Sequence, residues 1–483
     1  MEVAAMTATT VLWFRNDLRF HDHPALAEAV EYAETHDTDL LLMFHLHPYF
    51  TDNTDISNDY FFQTAASFQK DAESENVKIH MLSGEVEDAF STLLERAGEI
   101  NAVFCTPEVT SFARKRDEKA ASFLTDHSVP FYSVPGNYIH EPGTVEKDNG
   151  DPYKVYTPFS RKWMKEAKPE LRHVDMDVLK KRCTRKKALD QESEEAFDRV
   201  VNSCTRSWER LGEKAALERL EYTMKKIVPG YQDTRDLPSR AGTTRISPYL
   251  RTGSLSVRKV YEAAASQMET TSGSGAETFI KELAWRDFYA AILHYFPEAE
   301  KDEFQEQYRN LPWSENNEHF SAWKEGRTGF PIVDAGMRQL NQIGWMHNRL
   351  RMITASFLTK DLQIDWQKGE AYFGHKLIDY TPSSNIGGWQ WAASVGTDAV
   401  PYFRVFSPVR QGERFDPEGT FIRQFLPELK HVPDKYIQEP HKMPESVQKE
   451  AGCIIGSDYP EPVVDHKEER KRAIAMFEEA KDQ

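Results

Sequence analysis

Cysteine is scarce in this chain: Cys105, Cys183, Cys204 and Cys453 among 483 residues, with no CxxC pair. That excludes a disulfide framework and leaves no zinc-site spacing. No apolar run reaches the length of a membrane span. The opening MEVAAMTATT has neither a basic n-region nor a long apolar core, so a cytoplasmic protein without a membrane partner is expected. The usual dinucleotide fingerprint is missing too, since no GxGxxG or P-loop follows the first apolar run. There is no internal repeat and no long low-complexity tract. Positive charge is in deficit, with 60 Lys and Arg against 77 Asp and Glu and a formal charge of −17. Alone this argues against a nucleic-acid partner, although a basic groove can sit on an acidic body.

What is present is aromatic. Aromatics make up 12% of the chain, with 10 Trp, and hydrophobic residues 40%. A chain of this length suits two or three domains. The first 140 residues alternate short apolar runs at 10–15, 40–46, 77–82, 102–106 and 130–134 with helical stretches such as 24–34 and 86–97. Continuous apolar strands separated by helices predict an α/β, doubly wound parallel sheet of Rossmann-like type over 1–140. A polar connector, basic then acidic at 180–195, spans 141–205. From 206 to 483 amphipathic helices dominate, giving a larger all-helical domain. Residues 278–296 place Ile280, Leu283, Ala284, Phe288, Ile292 and Leu293 on one stripe, and 333–362 reads as a helical pair broken at Gly344.

Several stretches in the helical part carry candidate chemistry. NIGGWQWAAS, 385–394, sets Trp389 and Trp391 two residues apart. On a helix they would point roughly 200° apart, and the glycines would let a flat group approach the backbone. GTTRISPYLRTGSLS, 242–256, offers hydroxyls and an arginine near a helix start, suited to phosphate or to ordinary capping. In GWMHNRLRMITASFL, 344–358, polar residues sit among Trp345, Met346, Leu350 and Met352. A buried arginine there needs a partner, and Asp379 is the candidate. His45 and His47 share a strand face but have no evident third metal ligand. His21 and His23 read as loop residues that hydrogen-bond.

The motifs ELAWRDFY, GFPIVDAGMRQLNQIGWMHNRLRMITASFL, GGWQWAASVGTDAVPYFRVFSP and QGERFDPEGTFIRQFLPEL, with VLWFRNDLRFHDHPAL at 11–26, cover much of the chain. They resemble the photolyase/cryptochrome family, and within it are most similar to class I cyclobutane pyrimidine dimer photolyases. The resemblance implies FAD held in the helical domain. Tyr231 would contact it; Thr243, Thr244, Arg245, Ile246 and Ser247 would hold its phosphates; Arg351, Asp379, Tyr380 and Thr381 would lie near the ring system and ribose. Asn385 would lie beside flavin N5, and Asn348 at the boundary of cofactor and substrate. Phe279 and Thr381 depart from residues found in relatives. Trp389, Trp366 and Trp313 match an electron-transfer chain. Glu282, Trp285, Asn348, Met352 and Trp391 match a substrate pocket, and Arg235, Arg349 and Gln411, with Arg286 added, a DNA-facing rim. The implied activity is light-driven repair of pyrimidine dimers in DNA, by a monomer with no obligatory protein partner. Each tryptophan alone would fit a core role equally well; their registration with the long motifs is what marks them.

The competing readings are a light-sensing cryptochrome without repair, a (6-4) photolyase, and a flavin-storage or DNA-binding module. An extended C-terminal tail, common in sensors, is not expected. The pair His347-Asn348 departs from the paired histidines of the (6-4) class. A second, antenna chromophore is left open: where folate-using relatives carry Asn-Glu, this chain offers Phe112 and Ala113.

Overall fold

The structure, a computed structural model, describes residues 8–52, 55–189, 191–268 and 273–481. Residues 1–7, where a leader was sought, and Asp190, in the charge switch, lie outside the described residues. The N-terminal domain is a parallel sheet of strands β1 (Thr9–Phe14), β2 (Asp39–Leu46), β3 (Ile79–Ser83), β4 (Ile100–Cys105) and β5 (Phe131–Ser133), in the order β3-β2-β1-β4-β5. The runs are continuous because both faces are covered. On β1, Leu12 and Phe14 enter one core and Val11 and Trp13 the other, as period-two alternation requires. Helices α1 (Pro24–Thr35) and α2 (Ile56–Ser74) fill the first core, and α3 (Val86–Ala97) and α4 (Ser111–Asp126) the second. His23 caps α1 by accepting from Leu26 N at 3.1 Å, and the His21 ring pairs with Glu213.

The segment after the sheet contains helices that dock on both domains. Tyr156–Lys165 packs on the helical part, and Gln191–Ser203 against β3 and α2. The helical domain is built around α5 (Gly273–Tyr295), α6 (Pro331–Ile343), α7 (Asn348–Ser356), α8 (Trp366–Lys376), α9 (Pro382–Ala393) and α10 (His466–Lys481). The whole stripe expected on α5 is buried. Gly344, at φ 69°, ends α6, and the His347 side chain caps α7. Among the described residues no helix is long and apolar enough to cross a membrane.

The domains are joined by a buried ion pair. Asp22, in the loop after β1, accepts from Arg258 Nη2 at 2.6 Å, from the Ser256 hydroxyl and from Arg172 N. Asp22 and Arg258 are 6% and 7% exposed. Beside them Gly253, at φ 69°, lies so close to the β1 loop that a Cβ would overlap the Asn16 carbonyl. Asp22→Ala would strand a buried guanidinium, a loss of about 3–5 kcal/mol. Denaturant unfolding of this variant is expected to show that loss; a change within 0.5 kcal/mol (roughly the scale of a surface substitution) would refute the anchoring role.

Candidate functional site

Helix α9 organises the site. Pro382 stands in its first turn and Ser394, at φ 68°, closes it. Its two central glycines do different jobs. A Cβ on Gly387 would overlap the Tyr289 ring of α5, so this glycine permits the crossing of the two helices; a Cβ on Gly388 would meet nothing within 4 Å. Trp389 turns into the core at 2% exposure, while Trp391 stays half-buried against Phe406. The two indoles therefore differ in burial, although both pack against the same core.

Polar groups gather near one side of α9. Arg351 Nη2 donates to both Asp379 oxygens, at 3.0 and 2.8 Å, and its Nε donates to the Met346 carbonyl. Ser247 Oγ donates to Asp379 at 2.7 Å and accepts from the Trp345 indole. Arg245, in a left-handed backbone conformation at φ 52°, lays its guanidinium over the Trp345 ring at 4.6 Å. Desolvation lowers its pKa, and it forms no ion pair among the described residues. Arg219 fixes this loop by donating to the Thr243 and Thr244 carbonyls. Ile246 and Tyr231 are buried, the latter edge-on to Phe279. Asn385 Nδ2 donates to Glu370 Oε1 at 3.0 Å, and the Tyr380 hydroxyl donates to the same oxygen. Burial pushes the Glu370 carboxyl up. Arg245, which forms no ion pair among the described residues, and the open space at Gly388 fit an anionic, flat cofactor such as FAD.

Residues expected at the substrate side line α5 and α7. Glu282 is paired with Arg235, and Arg349 donates to Asp236 at 2.7 Å while lying over Phe415. Burial raises the Glu282 carboxyl although Arg235 pulls the other way. Trp285 is stacked on Tyr156, centroids 3.6 Å apart and planes at 7°. Asn348 is exposed and reaches Met352 Sδ, one turn on. Gln411 is half-buried, its Oε1 without a partner. Arg286 requires a correction. It donates to the Asn137 carbonyl and lies over Tyr138 in the interdomain seam, not on the DNA-facing rim. Its helix position left the direction of a long side chain undetermined.

Trp389, Trp366 and Trp313 lie in one cluster. A Cβ on Gly369 of α8 would overlap the Trp389 ring, which also meets Phe373 and Trp323 edge-on. Trp366, three residues before Gly369, is buried, and Trp313 is half-buried next to Phe477. Tyr156, Glu303, Trp323 and Glu370 were not singled out from sequence. Of these, Glu370 stands four residues past Trp366 on α8, and that spacing was the available signal.

A cavity of about 560 Å³ opens at the carboxyl ends of the strands and reaches Tyr380 and Thr381. It lies at the point where strand order reverses between β1 and β4, the usual ligand crevice of such sheets. Its aromatic wall includes Trp13, Phe50 and Phe112, and Asn16, Glu108, Arg116 and Arg251 supply polar groups. His45 also faces it. Burial drives its pKa down to about 3, and its Nε2 is spent on the Gly84 carbonyl at 2.8 Å.

These features define a two-domain protein with a parallel-sheet α/β unit and a tryptophan-rich, flavin-compatible helical unit. Residues 10–176 match the family described as DNA photolyase, and residues 279–479 match the FAD binding domain of DNA photolyase. A deoxyribodipyrimidine photo-lyase of Alkalihalophilus pseudofirmus is 49% identical over 96% of this chain and 97% of its own. That of Escherichia coli is 38% identical over 98% and 99%. The crystal structure of a bacterial class III photolyase from Agrobacterium tumefaciens superposes with a TM-score of 0.90 at 33% identity, covering 100% of both chains. A Synechocystis cryptochrome superposes at 0.87 and 27% identity, covering 98% and 100%. The chain belongs to the DNA photolyase family.

Filling the Gly369 notch tests the seating of Trp389. Gly369→Ala should cost about 1–3 kcal/mol, the usual price of overpacking, and alter the near-ultraviolet circular dichroism of the tryptophans. Unchanged stability and spectrum would mean that the indole moves freely.

Proposed function

We propose that this protein repairs cyclobutane pyrimidine dimers in DNA, driven by light. The observation that carries the reading is that one helix bears Asn385, a buried Trp389 in line with the Trp366 and Trp313 cluster, and a half-buried Trp391. When bound and reduced, FAD supplies the single photoexcited electron that opens the dimer and takes it back afterwards.

The chain's own residues provide the surroundings. Arg245 would face the diphosphate, and the Arg351–Asp379–Ser247 group would orient the ribose and ring edge. Asn385, held by Glu370, would present its carboxamide to N5. Trp389, Trp366 and Trp313 would pass electrons inward from the surface. The dimer must leave the duplex to reach the site, at a cost of a few kcal/mol. Trp285, preset by Tyr156, and Trp391 offer stacking of about 1–3 kcal/mol per base, enough to offset that. Glu282 would accept or share a hydrogen bond from the pyrimidine edge, with Asn348 and Met352 beside it. Arg235, Arg349 and Gln411 would meet the DNA strand.

The cavity at the sheet's strand-order reversal supports a second, flat chromophore between aromatic walls. Phe112 contributes one wall, packed edge-on to His47 and Phe50. Absorption spectra of the purified protein before and after denaturation would reveal it as a band that FAD does not account for. If FAD accounts for the whole spectrum, the second chromophore is absent.

The direct test is repair of a thymine-dimer oligonucleotide under blue light, with a dark control and a (6-4) photoproduct control. Dimer repair in light alone is expected. Trp391→Ala should keep its FAD and weaken binding of dimer DNA by about 5- to 150-fold, the equivalent of one lost stack. FAD-loaded, reduced protein that repairs no dimer would place the chain among the sensors instead.

A further inference from the structure

We propose that Glu303 is the proton acceptor of the tryptophan line, taking the indole N–H proton when Trp366 is oxidised. The inference rests on the relay reading of Trp389, Trp366 and Trp313. It concerns a residue that touches neither the FAD site nor the lesion pocket described above.

Glu303 lies in the segment that follows α5 and is 6% exposed. The Trp366 indole donates to its Oε1 at 3.1 Å. The Trp313 indole also lies near that carboxylate and favours its charged form. One carboxylate therefore lies beside both outer tryptophans. Its place is set from α9: Gln390, buried between Trp389 and Trp391, donates to the Ala299 and Asp302 carbonyls and accepts from Phe304 N. Arg309 Nε holds the Glu303 carbonyl. The helix that carries Trp389 thus clamps the loop that carries the carboxylate.

As mere structural glue the arrangement would be a poor choice. A glutamine would accept the same indole bond without a buried charge, and the Glu303 carboxylate forms no ion pair among the described residues, so its charge is costly to bury. The charge acquires a purpose once an electron leaves Trp366. A neutral indole holds its N–H proton tightly, whereas the radical cation is a far stronger acid. The ultimate oxidant is a light-excited oxidised flavin, and Trp389 takes the electron from Trp366. The Trp366 N–H bond then breaks and an O–H bond forms on Glu303, leaving a neutral tryptophan radical beside a neutral carboxylic acid. When Trp313 supplies an electron to that radical, the proton returns to the Trp366 nitrogen. The carboxylate is then anionic again beside the oxidised Trp313. Burial already raises the Glu303 pKa, which makes it a better base than an exposed carboxylate.

The experiment is flash photolysis of protein loaded with oxidised FAD, parent against Glu303→Gln, with FAD content and far-ultraviolet circular dichroism matched. The parent should pass to the neutral tryptophan radical, identified by its visible band and by loss of the exchangeable N–H coupling in electron–nuclear double resonance. Glu303→Gln should hold the cation, with deprotonation slowed by about a hundredfold or more. If the glutamine variant does not load FAD, Glu303→Asp carries the same test, with slowed deprotonation expected. Neutral radical formed at the parental rate in the variant overturns the proposal. Trp366→Phe separates the two layers of the argument. A full radical signal in that variant would remove the relay itself, whereas its loss there with unchanged deprotonation in Glu303→Gln would remove only the role of Glu303.

Discussion

The contact on which the site depends is the crossing of α5 and α9, where the Tyr289 ring occupies the space a side chain at 387 would need. Any residue larger than glycine would separate the helices. On α9 that would displace Asn385, Trp389 and Trp391 together; on α5 it would shift Glu282 and Trp285. The chemistry-bearing residues of both helices are registered to one another through a single missing Cβ. Close packing makes such a contact unforgiving, because neighbours held at crystal-like density relax only partly.

A second tier of polar contacts fixes what the crossing leaves free. Gln390 clamps the loop at 299–304, Glu370 holds Asn385, and Asp379 ties Arg351 to Ser247. Each is a half-buried or buried polar group whose partner comes from a distant part of the chain. The loss of one partner leaves the other desolvated, so these links constrain geometry more than their net stabilisation suggests.

The sheet was legible in the sequence because each strand is buried on both faces and therefore reads as an unbroken apolar run. The α6–α7 break was legible because Gly344 is a local signal. The long motifs marked Arg351, Asp379 and the tryptophans. Partners contributed by segments without periodicity were not legible. Glu303 sits in a turn-rich stretch, and Tyr156 in a connector that looked like a polar strap. Arg286 was added to the DNA-facing rim, yet its long side chain runs to Asn137. Helix phase gives the direction of Cβ; it does not give the destination of a guanidinium three bonds further out.

The pairing of Arg235 with Glu282 and of Arg349 with Asp236 bears on how an acidic protein can meet a polyanion. On the proposed reading, a DNA phosphate would arrive as a competitor for two cations that already hold carboxylates. Contact would be an exchange of anions in which little new charge is neutralised. Intact duplex, offering phosphates but no base to stack on Trp391, would gain little from that exchange. A distorted duplex would offer both at once, and the two ion pairs would act as a threshold that smooth DNA does not cross.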